Sequence, residues 1–166
     1  GMAWYRRSFG LPADWHNRRV VLHFEGVNYR AKIWMNGQLI GENLDGFLPF
    51  EWEVQKYLHA DQDNILAVQV DNAHHDEDVP GKHVQWRGYG GILREVTLFA
   101  TGPMFFRNVR VKAVPVHKDG KIEITSFIGN NRPALAGADF EAIVKDAEGK
   151  TVAKLGPARV EVAANG

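Results

Sequence analysis

Between Val27 and Met35 an apolar residue stands at every second position: Val27, Tyr29, Ala31, Ile33 and Met35. Asn28, Arg30, Lys32 and Trp34 fill the positions between them. A period of two belongs to a pleated strand with one buried face, whereas a helix would repeat every 3.6 residues. The run stops at Asn36-Gly37. That pair suits a type I′ hairpin turn, in which both central residues take positive φ. Residues 38–42 are then the returning strand, so the chain is committed to antiparallel sheet.

The same pattern recurs along the chain. Residues 4–9 form a strand that Leu11-Pro12 ends, because Pro cannot donate to a ladder. Residues 19–24 put Val20, Leu22 and Phe24 on one face, Val21 and His23 on the other. Asp45-Gly46 turns into a strand over 47–54, where Pro49 marks an edge or bulge. Residues 55–58 hold one helical turn, and 61–64 a polar turn. Residues 65–72 direct Leu66, Val68 and Val70 inward. A polar loop over 73–83 and a Gly-rich turn at Gly88, Gly90 and Gly91 lead to a strand over 92–100. Thr101-Gly102-Pro103 reads as a boundary. Beyond it five further strands are expected, over 109–113, 122–126, 140–144, 151–155 and 159–163. Short strands at regular spacing, parted by turn residues, argue for all-β sandwiches.

Charge narrows the function classes. Lys+Arg and Asp+Glu each number 20. Such a balance offers no electrostatic case for nucleic acid or an anionic membrane, so neither is expected as a partner. No stretch of about 18 apolar residues is present to span a membrane. The first 15 residues lack the apolar core of a signal peptide. Cys is absent, which excludes disulfides, thiolate chemistry and a Cys zinc site, and leaves the compartment open.

Four pieces in order, WYRRSF, VVLHFEGVNYRAKIWMNGQLIGENLDGFLPFEWEV, NILAVQVDN and WRGYGGILREV, together resemble the N-terminal region of glycoside hydrolase family 2. That family comprises β-galactosidases, β-glucuronidases and β-mannosidases. The resemblance implies a jelly-roll, galactose-binding-like β-sandwich over residues 1–102, followed over 103–166 by an incomplete immunoglobulin-like β-sandwich. About 63 residues remain for the second, against about 100 for a complete domain of that kind. Family members continue into a (β/α)₈ barrel that carries two catalytic glutamates. Such a barrel takes about 250 residues, more than the whole chain. The chain thus reads as a non-catalytic segment of a longer hydrolase, cut on its N-terminal side as well. Its parent would cleave terminal β-linked sugars and be periplasmic or secreted.

On this reading no residue here is catalytic and no metal or cofactor is held. The implied partners are carbohydrate (weakly, or only in the full-length parent), the catalytic barrel, and a second copy through exposed strand edges. Two alternatives stand beside it: a free-standing carbohydrate-binding module, and a scaffold domain without sugar affinity.

Six residues are candidate substrate contacts: Asn72, Asp76, Gln85, Trp86, Arg87 and Tyr89. A sugar presents an apolar face and a ring of hydroxyls. Trp and Tyr supply flat apolar surface, while Arg, Gln and Asn supply hydrogen bonds. The resemblance directs the loop holding His74, His75, Asp76, Glu77, Asp78 and His83 toward the barrel's active site. The residues alone permit a divalent-ion site or an ordinary solvated acidic loop. Neighbouring acids on one loop do not make a glycosidase pair, since retaining hydrolysis sets two carboxyl groups about 5 to 5.5 Å apart across the sugar. The glycines are no phosphate cradle, because they lead into a strand and not a helix N-terminus. Asn72 is read either as a contact toward the barrel or as the cap of the turn that opens the loop. Trp34, on the polar face, is an exposed-aromatic candidate. Trp4, Trp15 and Trp52 are assigned to core or inter-domain packing.

Overall fold

The computed structural model describes residues 1–73, 75, 76, 78, 89–116 and 119–164. Strands dominate, joined by two 3₁₀ turns at Ala13–Trp15 and Gln55–Tyr57. The chain falls into two units, Gly1–Thr101 and Gly102–Gly166.

In the first unit, β1 (Met2–Phe9), β4 (Arg30–Met35), β5 (Gln38–Asn43) and β7 (Asn64–Asp71) make a sheet in the order β1-β7-β4-β5. A second sheet joins β2 (Arg19–Phe24), β6 (Phe50–Glu53) and β9 (Val96–Thr101) in the order β6-β2-β9. A short pair, β3 (Val27–Asn28) with β8 (Gly91–Ile92), bridges them in sequence. Every pairing is antiparallel. Val20, Leu22 and Phe24 from one sheet meet Ala31, Ile33, Met35, Val68 and Val70 from the other in a single buried cluster. Burying each large aliphatic or Phe side chain there contributes about 1.5–3 kcal/mol. Phe24 stacks on Phe50 at 4.9 Å, and Trp52 packs edge-on against Phe50 at 5.0 Å. The hairpin forms as its sequence requires, with φ of 51° at Asn36 and 81° at Gly37.

Asn64 is completely buried at the start of β7. Its Oδ1 accepts from the His59 amide at 2.7 Å and from Asn36 Nδ2 at 2.8 Å. Its Nδ2 donates to the His59 carbonyl at 2.9 Å and to the Gln62 carbonyl at 3.3 Å. Asn36 completes the knot, donating to the Tyr57 carbonyl and accepting from the Ile65 amide, both at 2.8 Å. The polar turn is therefore a buried clasp between the hairpin and the 3₁₀ turn.

Three expected strands are divided or shortened. The run from Val27 to Met35 breaks at Tyr29, because Val27–Asn28 pairs with β8 and the chain then crosses to pair with β7. The strand expected over 47–54 starts only at Phe50. Phe47 lies in a turn at φ 76°, and Pro49 has no N–H to offer a ladder. The strand over 92–100 is two pieces, β8 and β9, since residues 93–95 carry the chain from the β3 ladder to the β2 ladder.

The second unit consists of two hairpins, β10 (Met104–Val116) with β11 (Asp119–Asn130), and β12 (Ala136–Lys145) with β13 (Thr151–Val162). Among the described residues four strands replace the five expected. Residues 151–155 and 159–162 belong to one strand, β13, in which Gly156 and Pro157 form a bulge. Phe140 opposes Ala158 and Ala142 opposes Leu155, so the two extra residues face Glu141 alone. A bulge accommodates Pro157, which has no N–H for the ladder. Gly156 has φ 90°, and a Cβ there would sit 2.5 Å from the Phe140 carbonyl oxygen, so only glycine fits. Asn130, fully buried, ties the hairpins together: Nδ2 donates to the carbonyls of Ala134, Val162 and Ala163. Among the described residues of this unit the buried hydrophobics are Phe105 and Ala136, while Phe106, Val111, Leu135 and Val152 are more than half exposed.

Candidate functional site

The first unit gathers its polar groups where β4 begins and β7 ends. Arg30 stands opposite Asp71 in the ladder. From there its Nη1 donates to the Ala73 carbonyl at 2.9 Å, and its Nη2 to Asp78 Oδ1 at 2.5 Å. The Asp78 side chain is 3% exposed. The His75 amide donates to its Oδ2 at 2.6 Å. Burial by itself would raise the Asp78 pKa, but the His75 amide and the Arg30 guanidinium outweigh it and hold the carboxyl below its ordinary range. Asp71 caps the turn at the loop's start, its Oδ1 accepting from the Ala73 amide at 2.9 Å. An ion pair and an Asx cap thus pin the segment leaving β7 against the sheet.

The returning segment is held from the other side. Asn28, 1% exposed, donates from Nδ2 to the Tyr89 carbonyl at 2.7 Å. Its Oδ1 is buried with no hydrogen-bond partner among the described residues. A Cβ on Gly46 would lie 2.8 Å from the Tyr29 ring and 3.1 Å from Asn28 Oδ1, so the 44–49 turn closes over the same spot. Gly91, at φ 115°, runs beneath the Tyr5 hydroxyl where a Cβ would collide. The Asn72 side chain lies against Gly90 in the same way and accepts from the Gly1 amino group.

Two of the six candidate contacts, Asn72 and Tyr89, therefore come to one edge of the sandwich. The Tyr89 ring is 79% exposed there. Asp76 is exposed on the loop itself. Gln85, Trp86 and Arg87 lie outside the described residues, as do His74, Glu77 and His83. The cap assigned to Asn72 is made by its neighbour Asp71.

Sequence reasoning missed Arg30 and Asn28, and placed Asp78 in the candidate loop without singling it out. Asn28 and Arg30 were merely the polar alternates of a strand, and nothing local set Asp78 apart from Asp76. Of the two placements expected for Trp4, the core is not the one found: it is 59% exposed on the outer face of the sheet, opposite Gln69. Trp15 and Trp52 do pack against the core.

Chemically this edge positions rather than reacts. A general acid needs a raised pKa, whereas the one buried carboxylate here is held low and committed to a guanidinium and an amide. Among the described residues no group of three or more His, Asp or Glu is placed to hold a metal ion. A cleft of about 520 Å³ lies elsewhere, between the two sheets along β1. Its walls are mostly apolar, including Leu22, Leu66, Val68, Ile92, Val96 and Leu98.

The first unit is thus a two-sheet antiparallel β-sandwich domain with a polar loop edge. Residues 1–102 match the model of the glycosyl hydrolases family 2 sugar binding domain, and the chain belongs to that family. It is similar to a β-galactosidase of Thermoanaerobacter pseudethanolicus, 37% identical over 99 residues, covering 58% of this chain and 13% of that protein. A β-galactosidase of Lactobacillus delbrueckii subsp. bulgaricus is 33% identical over 166 residues, covering 96% of this chain and 16% of the relative. Among solved structures, a Bacteroides uniformis β-glucuronidase superposes with a TM-score of 0.93 at 25% identity, covering all of this chain and 20% of that one. The chain spans between 11% and 23% of the length of such curated relatives. The regions it matches are parts of larger family 2 enzymes.

Proposed function

We propose that this chain is the substrate-side β-segment of a glycosidase that hydrolyses terminal β-linked sugars such as β-galactosides. In this reading the edge formed by 71–78 and 89–91 shapes one wall of the substrate pocket, offering the Tyr89 ring and the Asn72 amide to the sugar. Asp76, Gln85, Trp86 and Arg87 are the further contacts that the sequence offers. The acid and the nucleophile lie in the barrel, which the sandwich braces. The observation that carries the reading is the pinning of this one edge, by Arg30–Asp78 from one side and Asn28–Tyr89 from the other. An edge that merely connected strands would not need a buried ion pair. Residues 103–166 are read as immunoglobulin-like, their exposed apolar faces packing on the rest of the protein or on a second copy.

Nitrophenyl β-galactoside, β-glucuronide and β-mannoside test this directly. The 166-residue chain releases no nitrophenol from any of them. In the longer protein, Tyr89→Ala lowers kcat/KM on the preferred glycoside about tenfold, the equivalent of one lost contact. Turnover by the 166-residue chain, or a Tyr89→Ala enzyme as efficient as its parent, overturns the reading.

A further inference from the structure

The outer face of the four-stranded sheet carries a second feature that the loop edge does not explain. Trp4 on β1 stands opposite Gln69, and Trp34 on β4 stands opposite Ala67, with β7 running between the two strands. Val68, Val70, Ile33 and Met35 fill the inner face, so the alternating partners Ala67, Gln69 and Trp34 look outward. Ala67 leaves nothing bulky between the indoles, and they meet over β7 with centroids 5.1 Å apart and planes tilted by 35°. Trp4, Trp34, Ile65, Ala67 and the Asn36-Gly37 turn line a shallow cleft of about 380 Å³. That volume falls within the range of small-ligand clefts, about 300–1,000 Å³.

Neither indole belongs to the core cluster. The fold does not need them, and each leaves apolar surface in water. The flanks are hydrogen-bonding. Gln69 lies beside Lys32, and Lys32 pairs with Glu42 at 3.0 Å. Arg6 stands opposite Ala67. Flat aromatic surface edged by amide, guanidinium and carboxylate groups is complementary to a pyranose, which has a C–H face and a rim of hydroxyls.

We propose that Trp4 and Trp34 form a glycan-stacking site for β-linked oligosaccharides, separate from the edge at Asn72 and Tyr89. Trp34 is four residues from Arg30 along β4, about 13 Å at strand spacing. The site therefore holds a part of the sugar chain remote from that edge. It does not depend on the hydrolase reading, since a free-standing module could use it equally.

Calorimetric titration of the 166-residue chain with cellotetraose and β-1,4-galactotetraose tests it. Binding of at least one in the millimolar range or tighter is expected. Trp4→Ala and Trp34→Ala should each weaken it tenfold or more, and Trp34→Phe should keep most of it. Because both indoles lie outside the core, near-parental melting temperatures will show that the variants are folded. No binding of either sugar by the parent chain overturns the proposal, as does parental affinity in both Trp→Ala variants. Loss in Tyr89→Ala alone overturns it too, while supporting sugar contact at the loop edge.

Discussion

Replacing Asn64 with Ala tests whether the 61–64 turn is a structural clasp. The substitution removes four side-chain hydrogen bonds, three of them between 2.7 and 2.9 Å. A typical intramolecular hydrogen bond contributes about 1 kcal/mol net. Asn36 Nδ2 keeps its bond to Tyr57, and the exposed His59 can rehydrate its backbone groups, so the loss is about 2–3 kcal/mol. For a unit of this size each kcal/mol moves Tm by about 4–8 °C, giving a fall of roughly 8–24 °C. Urea unfolding followed by Trp fluorescence is a clean assay, because all five tryptophans precede residue 102 and report only the first unit. The midpoint should drop with the slope unchanged. Asn64→Asp keeps the acceptor for the His59 amide but turns a carboxylate toward the His59 and Gln62 carbonyls, so it should not rescue. A loss below about 1 kcal/mol in Asn64→Ala would refute the clasp, as one ordinary surface bond is worth that much.

Two further outcomes follow from the geometry. Gly156→Ala forces a Cβ into the Phe140 carbonyl at positive φ; it should cost about 1–3 kcal/mol or unravel the β12–β13 hairpin, seen as lost amide protection there, with normal protection counting against the bulge. Asp78 has a folded pKa below its unfolded value near 3.9. Its stabilising contribution is thus fully present above that value and disappears as pH falls through the lower folded pKa. The stability gap between the parent and Asp78→Asn should be constant from about pH 7 to 5 and close under strongly acid conditions; a gap that widened on acidification would contradict the Arg30–Asp78 arrangement.

The linear pattern of residues determined which segments pair and which face each buries. Val20, Leu22 and Phe24, and the alternating set from Val27 to Met35, lie inside as their spacing dictates. Asn36-Gly37 turns as its φ preferences require. The family motifs belong to this level too, being contiguous strings. What only the tertiary structure decided involves groups far apart in the chain. Arg30 and Asp78 are separated by 48 positions, Asn28 and the Tyr89 carbonyl by 61. Asn28, Asn64 and Asn130 are all buried, although alternation or turn chemistry assigns such residues to the surface. Conversely Trp4 is exposed on an edge strand. A period of two encodes inside against outside for one strand, but a polar group goes inside only when a partner arrives from another element. That partner's arrival depends on sheet order and register, which are set by the packing of the whole sandwich.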